Sequence, residues 1–355
     1  MSPHPSRRVL LAALAAGPAV PAAARAALPD AALLAAWERF RQGFLHPEGR
    51  ILDSGNGGVS HSEGQGWAMF CAEHCADRAT FDHLWNWTRR VLARPGDSLL
   101  AWRYVPGRPD PVPDGNNATD GDLFVAAALL LAARRWNEPA YAEAGAAIAH
   151  DVLRLLVREV AGATVLLPGA QGFEEAEEVI LNPSYYVFPI LGVLARAVPD
   201  PAWFRLAGDG LSLLRRARFG RWALPPDWVA LRRVDGGLGL PGRWPPRFSY
   251  DAVRVPLYLR WAGLGSEPAA QAAAEFWQAS LPGRPPAWID LRTQQASPYP
   301  ASAGVQAVAR YVAKERPGSR GQGEERGEGG REDYYSAVLK ILTSVASASS
   351  NSING

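Results

Sequence analysis

The sequence has little cysteine, little alternating hydrophobic pattern and no surplus of either charge. Its two cysteines in 355 residues, Cys71 and Cys75, exclude a disulfide framework. Their i,i+4 spacing on one helix rarely meets disulfide geometry, which leaves two small buried thiols as the simplest reading. Beyond the first 26 residues no apolar run is long enough to span a bilayer. The 37 Lys and Arg residues nearly cancel the 35 Asp and Glu residues. Such a mixed surface offers no electrostatic footprint for nucleic acid or an anionic membrane. Strand-like alternation is confined to short pieces such as "TVLLPG" and the stretch around "LLAWRYV". No strict repeat occurs, although helix pairs recur at roughly 35 to 50 residues, in the range of helical-hairpin arrays.

What the chain does have is apolar mass at helical spacing. With 48% apolar side chains it can bury a large core. Helical patterns run through "DAALLAAWERFRQGFL" (30–45), "EGQGWAMFCAEHCA", "ATFDHLWNWTRRVLA", "DGDLFVAAALLLAARRW", "PAYAEAGAAIAHDVLRLLVREV" and "PSYYVFPILGVLARAV". More follow near 201–217, 250–263, 267–281, 300–313 and 333–347, for a total of about eleven helices. The helix at 123–133 is apolar on nearly every side and must be covered all round, which predicts two concentric helical layers. The connections "RPDPVPDGNN" and "VDGGLGLPGRWPPRF" read as functional loops on a rigid scaffold.

The first 26 residues read as an export signal. Arg7 and Arg8 precede the apolar "VLLAALAAGPAV", and "AARA" supplies a small-residue cleavage site. "SRRVLL" fits a twin-arginine leader, and a Sec signal with two arginines has the same look. Losing Arg7, Arg8 and Arg25 takes the 37 basic residues to 34 against 35 acids, still near neutrality. The expected compartment is the periplasm or the medium. The expected organisation is one domain over 27–347, a flexible polar segment at about 314–333 and a frayed tail at 348–355.

Three carboxylates open three of the helices. In "VSHSEGQGWAMF", Ser62 with Gln65 three residues later matches a capping box and places Glu63 in the first turn. In "NNATDGDLFVAAALL", Thr119 is the expected cap, Asp120 follows, and Asp122 takes the third-position place of a capping box. In "RFSYDAVRVPLYLRW", Ser249 is the expected cap and Asp251 falls in the first turn, with Arg254 three residues on and on the same face. Acids at helix starts are common because they meet the positive end of the helix dipole. Capping alone accounts for Asp122. Glu63, Asp120 and Asp251 adjoin glycine, serine or tyrosine and open helices with buried bodies. If those starts converge, one acid can donate a proton while another activates water. The Arg254 cation favours the ionised role for Asp251, and Glu63 needs burial or a neighbouring carboxylate to serve as the acid. Trp67, Trp102, Tyr185, Tyr186, Trp228 and Tyr250 add flat aromatic faces suited to sugar rings. Together with the acids they favour a carbohydrate cleft. "HSE", with Cys71, His74 and Cys75 downstream, looks like a zinc deaminase signature, but the required P-C-x-x-C is missing, so no metal is expected.

The segments "SEGQGWAMF", "NNATDGDLFVAAALLLAARRW", "LLPG", "LNPSYY", "PPDWV" and "SYDAVRVPLY" occur in the order found in glycoside hydrolase family 8, and the chain resembles that family from about 35 to 345. The likeness is nearest to its branch of periplasmic cellulases encoded with bacterial cellulose synthases. The resemblance implies an all-α (α/α)6 barrel with a groove across the N-terminal ends of the inner helices. It also implies inverting hydrolysis of internal β-1,4-glucosidic bonds. Glu63 then matches the general acid, Asp251 the base, and Asp120 the acid that holds the sugar in a distorted shape. Tyr250 and Arg254 match residues that position base and substrate; Asn182 and Tyr185, with Trp67 and Trp102, are expected to line the groove. Trp67 and Ala68 stand where relatives carry Tyr-Gly, a departure near Glu63. The expected ligand is a β-1,4-glucan chain bound by a monomer, with a cellulose synthase complex as a further partner and no cofactor. Chitosan, mixed-linkage β-glucan and xylan are competing substrates within the family. A glucan-binding protein without turnover is the competing class.

Overall fold

Helical period carries through to helices. The computed structural model describes residues 30–280, 285–313 and 332–351. The expected leader, most of the polar segment at 314–333 and the last four residues of the expected tail lie outside these residues. Among the described residues there are eleven α-helices. They are α1 (Ala31–Phe44), α2 (Ser62–His74), α3 (Arg78–Val91), α4 (Thr119–Trp136), α5 (Pro139–Leu156), α6 (Phe188–Ala197), α7 (Pro201–Arg216), α8 (Arg254–Trp261), α9 (Pro268–Ala279), α10 (Ala303–Val312) and α11 (Tyr334–Asn351). Short antiparallel strands link them. Strand β1 (Ser60–His61) pairs with β2 (Arg103–Tyr104), β3 (Val157–Val160) with β4 (Ala163–Leu166), and β8 (Arg247–Phe248) with β9 (Ile289–Asp290). Strand β6 (Val229–Arg232) lies between β5 (Glu178–Leu181) and β7 (Leu238–Gly239).

The helices form two layers. α2, α4, α6, α8, α10 and α11 contact one another in that order and close back on α2. Around them, α3 backs α2, α5 backs α4, α7 backs α6, α9 backs α8, and α1 backs α11. This is the (α/α)6 barrel that the all-round apolar α4 demanded: every residue from Thr119 to Leu130 is buried. The outer helices are amphipathic in the usual way; α3 buries Phe81, Leu84 and Trp87 and turns arginines outward. The inner helices bring their N-terminal ends to one side of the barrel, where Glu63, Asp120, Arg254 and Tyr335 lie and where the Gly304 nitrogen of α10 donates to Ser336 Oγ of α11 at 2.9 Å.

Glycine sets how closely two of these ends approach. A Cβ on Gly121 would lie 2.3 Å from Ser62 Oγ and 2.7 Å from the Glu63 nitrogen, and one on Gly66 would lie 2.8 Å from Phe124 Cβ. The first turns of α2 and α4 therefore touch backbone to backbone, and Glu63 and Asp120 become neighbours.

Several local expectations change. "VREV" leaves the helix and becomes β3, because Ala161 (φ 49°) and Gly162 (φ 75°) make a two-residue turn that folds it onto β4. "PSY" forms a 3-10 turn ahead of α6, and Tyr250 to Val253 form a turn ahead of α8. The capping boxes do not form. His61 and Ala118 occupy the cap positions of α2 and α4, neither with a side-chain cap bond. Gln65 instead turns inward, accepting from the Ile51 nitrogen (2.7 Å) and donating to Thr88 Oγ1 (2.8 Å) and the Gly49 carbonyl (3.1 Å). Thr119 donates to the Leu167 carbonyl at 2.6 Å. α11 continues to Asn351, past the expected boundary at 347.

Gly121→Ala is expected to push α2 and α4 apart. The cost should be about 1–3 kcal/mol in a urea unfolding experiment, with loss of activity in the folded fraction. Wild-type stability and turnover in Gly121→Ala would show that the close approach is dispensable.

Candidate active site

Arg254, the first residue of α8, is only 2% exposed, and its guanidinium gathers the three acids. Nη1 donates to Glu63 Oε1 at 2.5 Å and to Asp120 Oδ2 at 3.4 Å. Nη2 donates to Asp251 and, at 3.1 Å, to Ser184 Oγ. Three carboxylates far apart in sequence thus share one cation. The Trp67 ring, with its centroid 5.3 Å from Arg254 Cζ, supports the cation as a buried π-face.

Each acid is held by its own element. The Ser62 nitrogen donates to the Trp102 carbonyl at 3.0 Å, tying the start of α2 and hence Glu63 to the β1–β2 ribbon. Asp120 accepts from the Gly121 nitrogen at 2.9 Å and from the Tyr185 hydroxyl. Asp251 lies in the turn before α8. Beneath that turn is Asp227, which accepts from the backbone nitrogens of Ser249 (3.1 Å), Asp251 (3.1 Å) and Ala252 (2.8 Å) and from the Ser249 hydroxyl. Ser249 is therefore a donor to Asp227 rather than a helix cap.

Burial and charge act on Glu63, Asp120 and Tyr185 together. Burial pushes the Glu63 carboxyl well above its usual range; Arg254 pulls it back, and the charges of Asp120 and Asp251 push it up again. A raised carboxyl is one that keeps a proton to donate. Its side chain stays 26% exposed, so that proton is open to the groove. Burial also raises Asp120, to about 6, opposed by Arg254 and assisted by the Asp251 charge. Tyr185 is pushed well above its usual range by burial and by the same three carboxylates, so it stays a neutral donor to Asp120.

The other expected site residues divide into two groups. Tyr250 is 60% exposed, its carbonyl accepts from the Tyr335 hydroxyl, and the two rings meet at 5.7 Å. Trp102 is half-buried and stacks on His61 at 6.0 Å. These two remain open to a ligand. Trp67 and Asn182 do not line a groove, since each is 1% exposed. Asn182 Oδ1 accepts from the Ser184 nitrogen (3.0 Å) and hydroxyl (2.7 Å), so it works beneath Arg254 through Ser184. Tyr185 is 8% exposed and touches Asp120. Among the other aromatics, Tyr186 is core, its hydroxyl accepting from the Leu166 nitrogen at 3.3 Å. Trp228 belongs to a parallel group with Phe173 and Trp244. Asp122 also departs from its expected capping role: it accepts from the Leu100 nitrogen at 2.8 Å and from Asn117 Nδ2 at 2.7 Å. Cys71 and Cys75 are buried free thiols, and among the described residues no three His, Cys, Asp or Glu side chains are placed to hold a metal ion.

Ser184, Asp227 and Tyr335 were not among the expected site residues. Asp227 had a signal, an acid isolated in the apolar "LPPDWVALR"; Tyr335 had another, a tyrosine at a helix start like those of the three acids.

The raised acids make stability depend on pH. Asp120, Asp227 and Asp122 hold protons to about 6, 7 and 8, against 3.8 for an ordinary aspartate, with burial the first cause in each. The folded chain therefore keeps protons that the unfolded chain has released, and stability falls as pH rises through that window. Half-buried His61, whose pKa is lowered by its removal from water, acts in the opposite sense below 6.5. Between about pH 6.5 and 8.5 the urea midpoint should therefore decline, and a flat or rising midpoint would contradict these burial effects.

With this geometry in place, the comparisons agree. The profile of Glycosyl hydrolases family 8 matches residues 9–349. A probable endoglucanase of Novacetimonas hansenii is 44% identical over 320 residues, covering 90% of this chain and 92% of the relative. An endoglucanase of Cellulomonas uda is 43% identical over 282 residues, covering 79% and 78%. The solved structure of an endo-β-1,4-glucanase from Acetobacter xylinum superposes with a TM-score of 0.83 at 43% identity, covering 90% of this chain and 99% of that one. A cation-centred triad of carboxylates at the inner helix starts, in a chain aligned with these relatives over nearly its whole length, makes this protein a glycoside hydrolase belonging to glycosyl hydrolases family 8.

Proposed function

We propose that this protein is an endo-β-1,4-glucanase that cleaves internal bonds of cellulose with inversion at the anomeric carbon. The observation that carries the reading is the convergence of Glu63, Asp120 and Asp251 on Arg254. Support for the glucan comes from the named activities of the Novacetimonas, Cellulomonas and Acetobacter relatives.

In this reading Asp251 takes a proton from water as the water oxygen attacks the anomeric carbon. Glu63 gives its proton to the glycosidic oxygen as the bond from that carbon breaks on the opposite face. The protons balance: one enters on Asp251, one leaves from Glu63, and solvent resets both. Asp120, held by Tyr185 and the Gly121 amide, grips the sugar at the cleavage point. Arg254 leaves Glu63 and Asp251 in contact through one cation, and substrate hydroxyls take over part of its hydrogen bonding on binding. Tyr250 and Trp102 offer exposed or half-exposed rings for neighbouring glucose units. The Arg7–Arg8 leader supports export to the periplasm or medium, and the reading places the enzyme there on cellulose emerging from a synthase.

Cello-oligosaccharides followed by proton NMR test the reaction directly. The first-formed reducing end should be the α-anomer, and Glu63→Gln or Asp251→Asn should lose on the order of 10²–10⁴ in kcat while still folding. A β-anomer as first product, or normal turnover in either variant, would overturn the assignment.

A further inference from the structure

We propose that Asp227 is a positioning residue that acts on the reaction through Asp251, by holding the turn that carries the base. The inference rests on the reading of Asp251 as the base.

The geometry is specific. Asp251 precedes α8 in a turn whose cap residue, Val253, makes no side-chain cap bond, so its amide and that of Ala252 need an acceptor from outside the helix. Asp227 Oδ1 accepts from both, at 3.1 and 2.8 Å, and from the Ser249 nitrogen at 3.1 Å. Its other oxygen takes the Ser249 hydroxyl. An acid 24 residues upstream thus does what an N-cap side chain would do locally, with both of its oxygens engaged. The return contact fixes Asp227 in turn: its own nitrogen donates to the Arg247 carbonyl at 2.8 Å. Asp227 sits between buried Pro226 and the start of β6, the central strand of a three-stranded sheet. A rigid sheet end therefore sets the position of a turn that would otherwise be free to shift.

The Tyr335 hydroxyl also reaches this turn, at the Tyr250 carbonyl, but among the described contacts the Asp251 and Ala252 amides go to Asp227 alone. The Asp251 carboxylate is held only by Arg254, which is shared with Glu63 and Asp120. The backbone of 249–252 is what aims Asp251 at the water, and a small rotation of that turn would move its carboxylate from in-line attack. Asp227 is 8% exposed with its lone pairs occupied, so it does not touch substrate itself.

The test separates the base side of the reaction from the acid side. Wild type, Asp227→Asn, Asp227→Ala, Ser249→Ala and Glu63→Gln are compared on cellohexaose and on 2,4-dinitrophenyl β-cellobioside, whose leaving group departs without a proton. Glu63→Gln should regain most of its rate on the activated substrate, because only the acid step is bypassed. Asp227→Ala should lose on the order of 10²-fold in kcat on both substrates, with KM within about twofold of wild type, while Asp227→Asn, which keeps an oxygen to accept from the three amides, should lose clearly less. Wild-type kcat in folded Asp227→Ala, a loss in Asp227→Asn as large as in Asp227→Ala, a loss confined to KM, or rescue by the activated substrate would each overturn the proposal. If Asp227→Ala fails to fold, Ser249→Ala decides. It should lose about 3- to 10-fold in kcat on both substrates at unchanged KM, and wild-type kcat would overturn the proposal. A wild type that cleaves neither substrate would sink the cellulase reading instead; the same ratios are then read on whichever β-glycan it does cleave.

Discussion

One buried cation among three carboxylates is the constraint around which this barrel is arranged. A guanidinium taken out of water is costly unless its donors are satisfied, and Arg254 meets that need with Glu63, Asp120, Asp251 and Ser184. Removing one partner of such a buried set typically costs about 3–5 kcal/mol, because the remaining charges are stranded. The charges do not cancel within the cluster: three acids face one base. The excess is tolerated because the acids sit at converging helix starts, where exposed amides and aligned dipoles favour negative charge. It is also relieved by protonation, since burial raises Glu63 and Asp120. The resting arrangement that makes the fold tolerable is thus the one that leaves Glu63 with a proton to give.

The barrel serves this cluster by bringing distant helix starts together. The glycines at 66 and 121 let α2 and α4 meet backbone to backbone, which no side chain larger than hydrogen would permit. Loops and short sheets then hold what the helices cannot. The β1–β2 ribbon pins the start of α2, Asn182 and Ser184 brace Arg254 from below, and the sheet around β6 delivers Asp227 to the turn of Asp251. Trp67 lies under Arg254 and not in the groove. A change of this side chain would therefore bear on the cation's seat before it bears on substrate.

The helices and the three acids were legible in the sequence because both depend on local pattern. Apolar spacing marks a helix whatever surrounds it, and an acid at or just before a helix start is visible at "SEGQ", "ATDGD" and "SYDAV". Hairpins and caps were less legible. "VREV" carries helical spacing, and only the turn at Ala161 and Gly162, which rewards pairing with β4, takes it out of α5. Gln65 and Thr119 match capping rules, yet their side chains bond to groups 14 to 48 residues away. Tertiary partners outbid local ones there, and no local rule reports them. Asp227 was hidden for the same reason: its partners lie 22 to 25 residues downstream. The aromatic residues divided between groove and core because ring chemistry alone does not distinguish a sugar platform from a packed interior.

The central claim is that burial and the neighbouring acids outweigh Arg254 in setting the protonation of Glu63. Carbon-13 NMR titration of the labelled Glu63 carboxyl in the free enzyme tests it most directly. The account predicts a midpoint above 4.5, the value for an ordinary glutamate. A midpoint at or below it would mean that the Arg254 ion pair governs, and that Glu63 has no proton to donate at neutral pH.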